Sequence, residues 1–334
     1  MKTSDADGQV KSNVAGQADP PSGDVGSRPA VIHGLASAAA HNRQSSLRTG
    51  PLQIALAAVL WSTSGLFVKA PWFEAWPEDS RGVLLAFWRS FFALILLLPL
   101  IRRPVWRWQM VPMVACFALM IWSFLSAMVY RPAANAIWLQ YLSPVWVLIL
   151  ARVFLGERPA PADWRMFGFC FAGVGLIFAM ELRYGSAYAT CLGIVSGMTY
   201  AGVILCLRTM RDVDSVWLIS LNHAGSIVLL LPWVFQNTHH LPISSYVALA
   251  FFGVAQMSLP YILFARGLRT TGAAEASLLT LIEPLVLPLW VFVAWHNHPS
   301  YAPPPMWTWI GGGLILTGLV SRYIPAAFAR ITGR

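Results

Sequence analysis

Ten runs of apolar residues, each about 20 long, follow one another from Leu52 onward, and this repetition restricts the chain more than any other feature. A run of that length crosses the hydrocarbon core of a bilayer as a helix, because only a helix satisfies its own backbone polar groups there. The runs cover roughly 52–69, 82–101, 109–129, 133–155 and 164–182, then 187–207, 215–235, 245–265, 273–295 and 306–324. The links between them are short. Only 11% of residues are charged, against about 25% in soluble domains. The sixteen tryptophans suit membrane–water interfaces. The expected fold class is therefore an all-α polytopic membrane protein with ten transmembrane helices.

A net charge of +9 does not make the chain a nucleic-acid binder, because its basic residues fall in short loops between apolar runs and not on one patch. Their distribution sets the orientation instead. With the N-terminus in the cytoplasm, eighteen Lys and Arg lie inside and four outside (Lys69, Arg81, Arg131 and Arg183), leaving Arg89 within a span. Both termini are expected on the cytoplasmic face of the plasma (inner) membrane. Residues 1–50, rich in Gly, Ser, Ala, Asp and Pro, read as a disordered cytoplasmic tail. Cys116, Cys170, Cys191 and Cys206 have no metal-ligand spacing and read as small buried hydrophobes. The His239–His240 and His296–His298 loops offer pairs, too few for a metal site, so neither metal nor cofactor is expected.

The chain repeats itself. "AANAIWLQYLSPVWVLIL" (133–150) aligns with "AAEASLLTLIEPLVLPLW" (273–290) at an offset of 140, which superposes Pro144 on Pro284. Phe124 meets Phe264 at the same offset, while Trp61 and Lys69 meet Tyr200 and Arg208 at 139. Five helices per copy is an odd number, so the second copy enters the bilayer from the opposite side. Two inverted five-helix repeats with a site between them form a transporter architecture.

The chain resembles the drug/metabolite transporter superfamily, in particular its EamA-type ten-helix family, in "LWSTSGLFVK", "FWRSFFALILLLP", "LSPVWVLILARVFLGE", "LIEPLVLPLWVF" and "GGGLILTG". On that resemblance, 51–184 is the first repeat, 185–324 the second, and 325–334 a cytoplasmic C-terminal tail. The resemblance implies a central cavity lined by helices 1, 3, 4, 6, 8 and 9, and transport, often export, of amino acids or related small metabolites. The chain departs from the family where Asn297 stands against Glu157 of the first repeat.

Glu283 lies about eight residues inside an apolar run, roughly 12 Å deep, where a charge is expensive. It reads as a substrate-amine ligand or proton-coupling group, or else as a structural carboxyl bonding freed carbonyls. Pro284 frees the carbonyl of Thr280, Pro288 that of Pro284, and Pro144 acts likewise in helix 4, so these three are candidate hinges. Ser143 is the uncharged counterpart of Glu283. Arg89 is a possible ion partner of Glu283 or of a substrate carboxylate, unless it snorkels to the interface. Trp61, Gln140, Tyr141, Tyr200, Gln256 and Tyr261 carry polar tips on apolar faces and are candidate liners of a cup for a flat or amphipathic metabolite. Asn222–His223 in helix 7 adds an imidazole that could titrate near neutral pH.

The function expected is alternating-access secondary transport, by export, of a small organic molecule, with protons as a coupling option and a homodimer as an open assembly. No GxxxxGK[ST] motif is present to use ATP. A channel or lipid scramblase on the same scaffold, or a polytopic enzyme, are the alternatives. The deep ionisable residues, Arg89, His223 and Glu283, are scattered along the chain, which speaks against an enzyme.

Overall fold

The computed structural model describes residues 49–156, 161–237, 240–271 and 273–331. Of the tail read over residues 1–50, residues 1–48 lie outside the described residues, as do Glu157 and His239, whereas Thr49 and Gly50 already belong to the first helix. The described chain is built of helices: α1 (Thr49–Val68), α2 (Glu78–Leu97), α3 (Met110–Tyr130), α4 (Ala133–Gln140, resuming at Ser143–Leu155), α5 (Pro161–Tyr184), α6 (Ala187–Thr209), α7 (Ser215–Gln236), α8 (Ile243–Gly267), α9 (Ala273–Thr280, resuming at Ile282–Trp295) and α10 (Met306–Ile331). Among the described residues, α1 to α9 are long and apolar enough to cross a bilayer. The tenth helix, 26 residues long, carries Arg322 and three consecutive glycines, which lower its apolarity. It runs past the expected end at 324 to Ile331.

Helix ends follow local chemistry. Pro77, Pro132 and Pro242 each stand just before α2, α4 and α8, in extended backbone that starts a helix without losing a bond. Asp214 accepts from the Val216 amide at 3.0 Å, and Ser186 from the Ala189 amide at 3.2 Å, capping α7 and α6. Gly156 takes φ +68° to end α4, a conformation that glycine adopts without a Cβ penalty.

The helices pack as pairs: α5 on α10, α3 on α6 and α2 on α7. The α5–α10 seam depends on Gly173 and Gly311, because a Cβ on either would strike the other's carbonyl. Phe73, Trp76, Phe117, Trp138 and Phe252 fill the interior. Phe154, Val228, Phe235 and Ile243 stay exposed, as a lipid-facing surface requires.

Contacts between loops show that the helices alternate direction. At one end, Arg107 of the α2–α3 link pairs with Asp212 of the α6–α7 link, Gly50 abuts Gly267–Thr271, and Arg322 bonds Asp163. At the other, the Ser245 hydroxyl donates to the Trp72 carbonyl at 3.2 Å, His298 lies 3.8 Å from Glu74, and Trp307 donates to Glu181 at 3.2 Å.

Lys69 sits at this second end, donating to the Val129 carbonyl at 3.0 Å. Burial pulls its amine down to about 8; Glu78 opposes the shift, and Arg81 and Arg131 add to it. At a pH near 8 about half of the Lys69 amines are therefore neutral and nucleophilic. Acetylation of Lys69 is expected to rise with pH around a midpoint near 8, well below that of an ordinary lysine. Peptide mass spectrometry across a pH series checks this, and an ordinary lysine profile would contradict it.

Candidate functional site

The two repeats meet at a matched pair of helix interruptions. In α4 the ladder tightens at Leu142, whose amide bonds the Leu139 carbonyl at 3.2 Å. In α9 it tightens at Leu281, whose amide bonds the Leu278 carbonyl at 3.1 Å. A mid-helix i→i−3 step is a common hinge signature. The prolines explain both sites: Pro144 falls in the first turn after the α4 step, and Pro284 directly follows Glu283 in the first turn after the α9 step. Pro288 lies farther along, buried in α9, and lines a narrow cleft with Lys69, Pro132, Val291 and Tyr301.

Lacking an N–H, Pro284 leaves the Thr280 carbonyl without its helical donor. The Tyr141 hydroxyl supplies one, donating to that carbonyl at 2.6 Å. The same hydroxyl lies 3.0 Å from Glu283 Oε2. Thus the interruption in α4 delivers a phenol to the interruption in α9, and a carboxyl stands beside both. Ser143, the counterpart of Glu283, is buried in the first turn after the α4 step.

A second group faces this one from α1, α2 and α8. The last of these contains a π-helical turn at Val254–Ser258. Pro260 accounts for it, since it cannot donate to the Gln256 carbonyl four residues back, and the local register widens. Gln256 then spans two elements: its Oε1 accepts from Arg89 Nη1 at 3.2 Å, and its Nε2 donates to the Trp61 carbonyl at 3.1 Å. Arg89 is 2% exposed, with its guanidinium 5.1 Å above the Phe252 ring. It therefore does not snorkel. Nor does it form an ion pair with Glu283; it acts on Glu283 and Tyr261 through space.

Aromatic rings pack beside this second group. Trp61 packs edge-on to Tyr261 at 5.2 Å and tilted against Phe264 at 5.2 Å. Tyr200 lies within Coulombic reach of Tyr261 and Glu283. On the far side, Trp290 donates to the Ser62 hydroxyl at 3.0 Å and Trp295 to the Leu66 carbonyl at 2.8 Å, fastening α9 to α1.

Of the candidates named from sequence, Tyr141 and Glu283 thus meet at the α9 interruption, and Arg89, Gln256, Trp61 and Tyr261 are joined by hydrogen bonds and ring packing beside it. Gln140 stands apart: its Nε2 donates to Ser196 Oγ at 2.8 Å and ties α4 to α6. Phe264 and Phe252 were missed; the repeat alignment of Phe264 on Phe124 was the available signal for the former. Glu181 was missed too. It is the hub of a network at the far end, held by Arg131, Asn135, Ser186 and Trp307.

Comparison with known proteins agrees with this architecture. An uncharacterized transporter of Archaeoglobus fulgidus is 28% identical over 82% of this chain and 96% of its own length. A riboflavin transporter of Rhizobium johnstonii is 27% identical over 80% of this chain and 88% of its own. A solved crystal structure shares the fold at a TM-score of 0.56 and 18% identity, covering 83% of this chain and 98% of its own. The family model for EamA-like transporters matches twice, over residues 48–179 and 187–322. A multi-pass helical membrane protein with two such repeats, this chain belongs to the EamA-like transporter family.

Proposed function

We propose that the protein is a proton-coupled secondary transporter that exports a small organic metabolite by alternating access, with the substrate held between the repeats. One observation carries this reading: the Tyr141 hydroxyl lies within bonding distance of both the Thr280 carbonyl and Glu283 Oε2. A phenol has one proton to give. If it goes to Thr280, the second contact is a hydrogen bond only when Glu283 is a carboxylic acid donating to the phenol oxygen. Loss of that proton turns the contact into a meeting of two acceptors, at the point where both interrupted helices can bend. Protonation and helix geometry are thereby linked.

The cup of Trp61, Tyr261 and Phe264 favours a planar or amphipathic substrate, with Arg89, Gln256 and Glu283 offering polar ends. A relative named as a riboflavin transporter supports the same class, since riboflavin carries a planar heteroaromatic ring. The charge distribution supports cytoplasmic termini, and the family resemblance supports export across the plasma membrane. On this reading the chain needs no catalytic residue.

A thermal-shift screen of purified protein against metabolites, followed by flux in proteoliposomes under an imposed pH gradient, tests the proposal. Ohmic conductance or lipid flipping without saturable metabolite flux would replace it with a channel or scramblase. Cells overexpressing the protein are expected to resist toxic analogues of the substrate; greater sensitivity would indicate uptake. Trp61→Ala is expected to raise the half-saturating substrate concentration about fivefold, corresponding to about 1 kcal/mol of lost ring contact. An unchanged value would remove Trp61 from the cup.

A further inference from the structure

A narrow cleft lies at the end of the bundle that holds Lys69, the end read as outer from the loop charges. Its walls come from both repeats: Lys69 and the start of α4 at Ala133 on one side, Pro288, Val291 and Tyr301 on the other. Lys69 supplies the one charge among its lining residues, and no carboxylate lines it. An ammonium carries three donors. Among the described residues this one has a single hydrogen-bond partner, the Val129 carbonyl at 3.0 Å, and no ion-pair partner. Its charged neighbours act through space: Glu78 and Arg81 from α2, Arg131 from the α3–α4 link. Arg131 is held by Glu181, and Arg81 by the Trp76 carbonyl. Lys69 is therefore the cation with donors to spare, and the N-terminus of α4 beside it adds positive potential.

We propose that this cleft is an anion-binding site, in which the Lys69 ammonium holds one small anionic group: a carboxylate of the molecule that crosses between the repeats, or a free halide. A charge drawn out of water calls for a counter-charge, and the cleft supplies none of its own. The walls leave room for about one small polar group, so the anionic group alone enters and a planar ring stays outside. Pro288 stands four residues beyond Pro284, about 6 Å farther along α9. The site therefore lies on the outer side of the α9 interruption, where an exported carboxylate is held last. That the anion belongs to the transported molecule rests on the reading of a path between the repeats; anion binding itself does not.

Acetylation of Lys69 in the purified wild-type protein reads the site, with Nα-acetyl-lysine in the same tube as reference. Benzoate, its neutral analogue benzamide, and chloride are compared at matched ionic strength, with bulky morpholinoethanesulfonate as the background anion. A bound anion favours the ammonium, so the midpoint near 8 is expected to rise by about one pH unit, and labelling at pH 7 to slow about tenfold. Slowing by benzoate alone assigns the site to an organic carboxylate; slowing by chloride assigns it to a halide. Equal rates in all four solutions, or equal slowing by benzamide and benzoate, would overturn the site. The anion that slows labelling is also expected to raise the melting temperature of the wild type and not of Lys69→Gln; an undiminished rise in the variant would overturn the role of Lys69. If the variant does not fold, labelling of the wild type still decides. Slowed labelling in a protein without saturable metabolite flux would leave the anion site standing while the transport reading fails.

Discussion

Glu283→Gln is expected to abolish uphill transport driven by a pH gradient while leaving downhill substrate movement intact. The amide has the shape of the protonated acid, and its NH2 group can donate to the Tyr141 oxygen as the acid would. The Thr280 carbonyl keeps its phenol donor, so the helix interruption in α9 remains satisfied. What the variant cannot do is release a proton. Each pH unit across the bilayer supplies about 1.4 kcal/mol per proton, roughly tenfold accumulation per unit. The wild type is expected to follow that dependence in proteoliposomes and the variant to be flat. Accumulation by the variant that still tracks the gradient would rule out Glu283 as the coupling group. Tyr141→Phe separates the two roles of the contact. It leaves the Thr280 carbonyl without its donor, so a loss of thermal stability is expected alongside weaker coupling.

The sequence carried the architecture because bilayer thickness, helix rise and loop charge are all local quantities. The repeat was legible for the same reason, since the recurring "AA" and "P" positions sit at a fixed offset. It also announced that Thr280 would lack a donor, because that follows from Pro284 alone. That Tyr141 would supply it, 139 residues earlier in the chain, is a matter of how two helices cross. Gln140 shows the limit most plainly. It and Tyr141 are adjacent and both polar, but about 100° apart around a helix, so one bonds Ser196 while the other reaches Thr280. Arg89 was ambiguous because its stem is long enough to reach the interface; only the Phe252 ring and Gln256 decide that it turns inward. The π-helical turn of α8 had a local cause in Pro260, but which side chain it would re-aim was set by α1 and α2.

Glu181→Leu is expected to destabilise the protein more than any substitution in the cup. The Glu181 side chain is fully buried. It accepts from Arg131 Nη2 at 3.2 Å, Asn135 Nδ2 at 2.8 Å, the Ser186 amide at 3.2 Å and Trp307 Nε1 at 3.2 Å. Arg131 Nε adds a 2.9 Å ion-pair contact at a poor hydrogen-bond angle. One carboxylate thus joins the α3–α4 link, α4, the start of α6 and α10. Removing it strands several donors and an arginine, a loss of about 3–5 kcal/mol for a broken buried pair. The melting temperature of detergent-solubilised protein should fall accordingly, with Glu181→Gln falling less because the amide oxygen still accepts. Arg131→Leu added to Glu181→Leu is expected to recover part of the loss, since the uncompensated guanidinium goes with it. Arg131 is a quarter exposed, so water meets part of its need and the recovery is incomplete. A Glu181→Leu protein that melts with the wild type would mean that the α4–α5–α10 end is held by apolar packing, with the carboxylate a passenger.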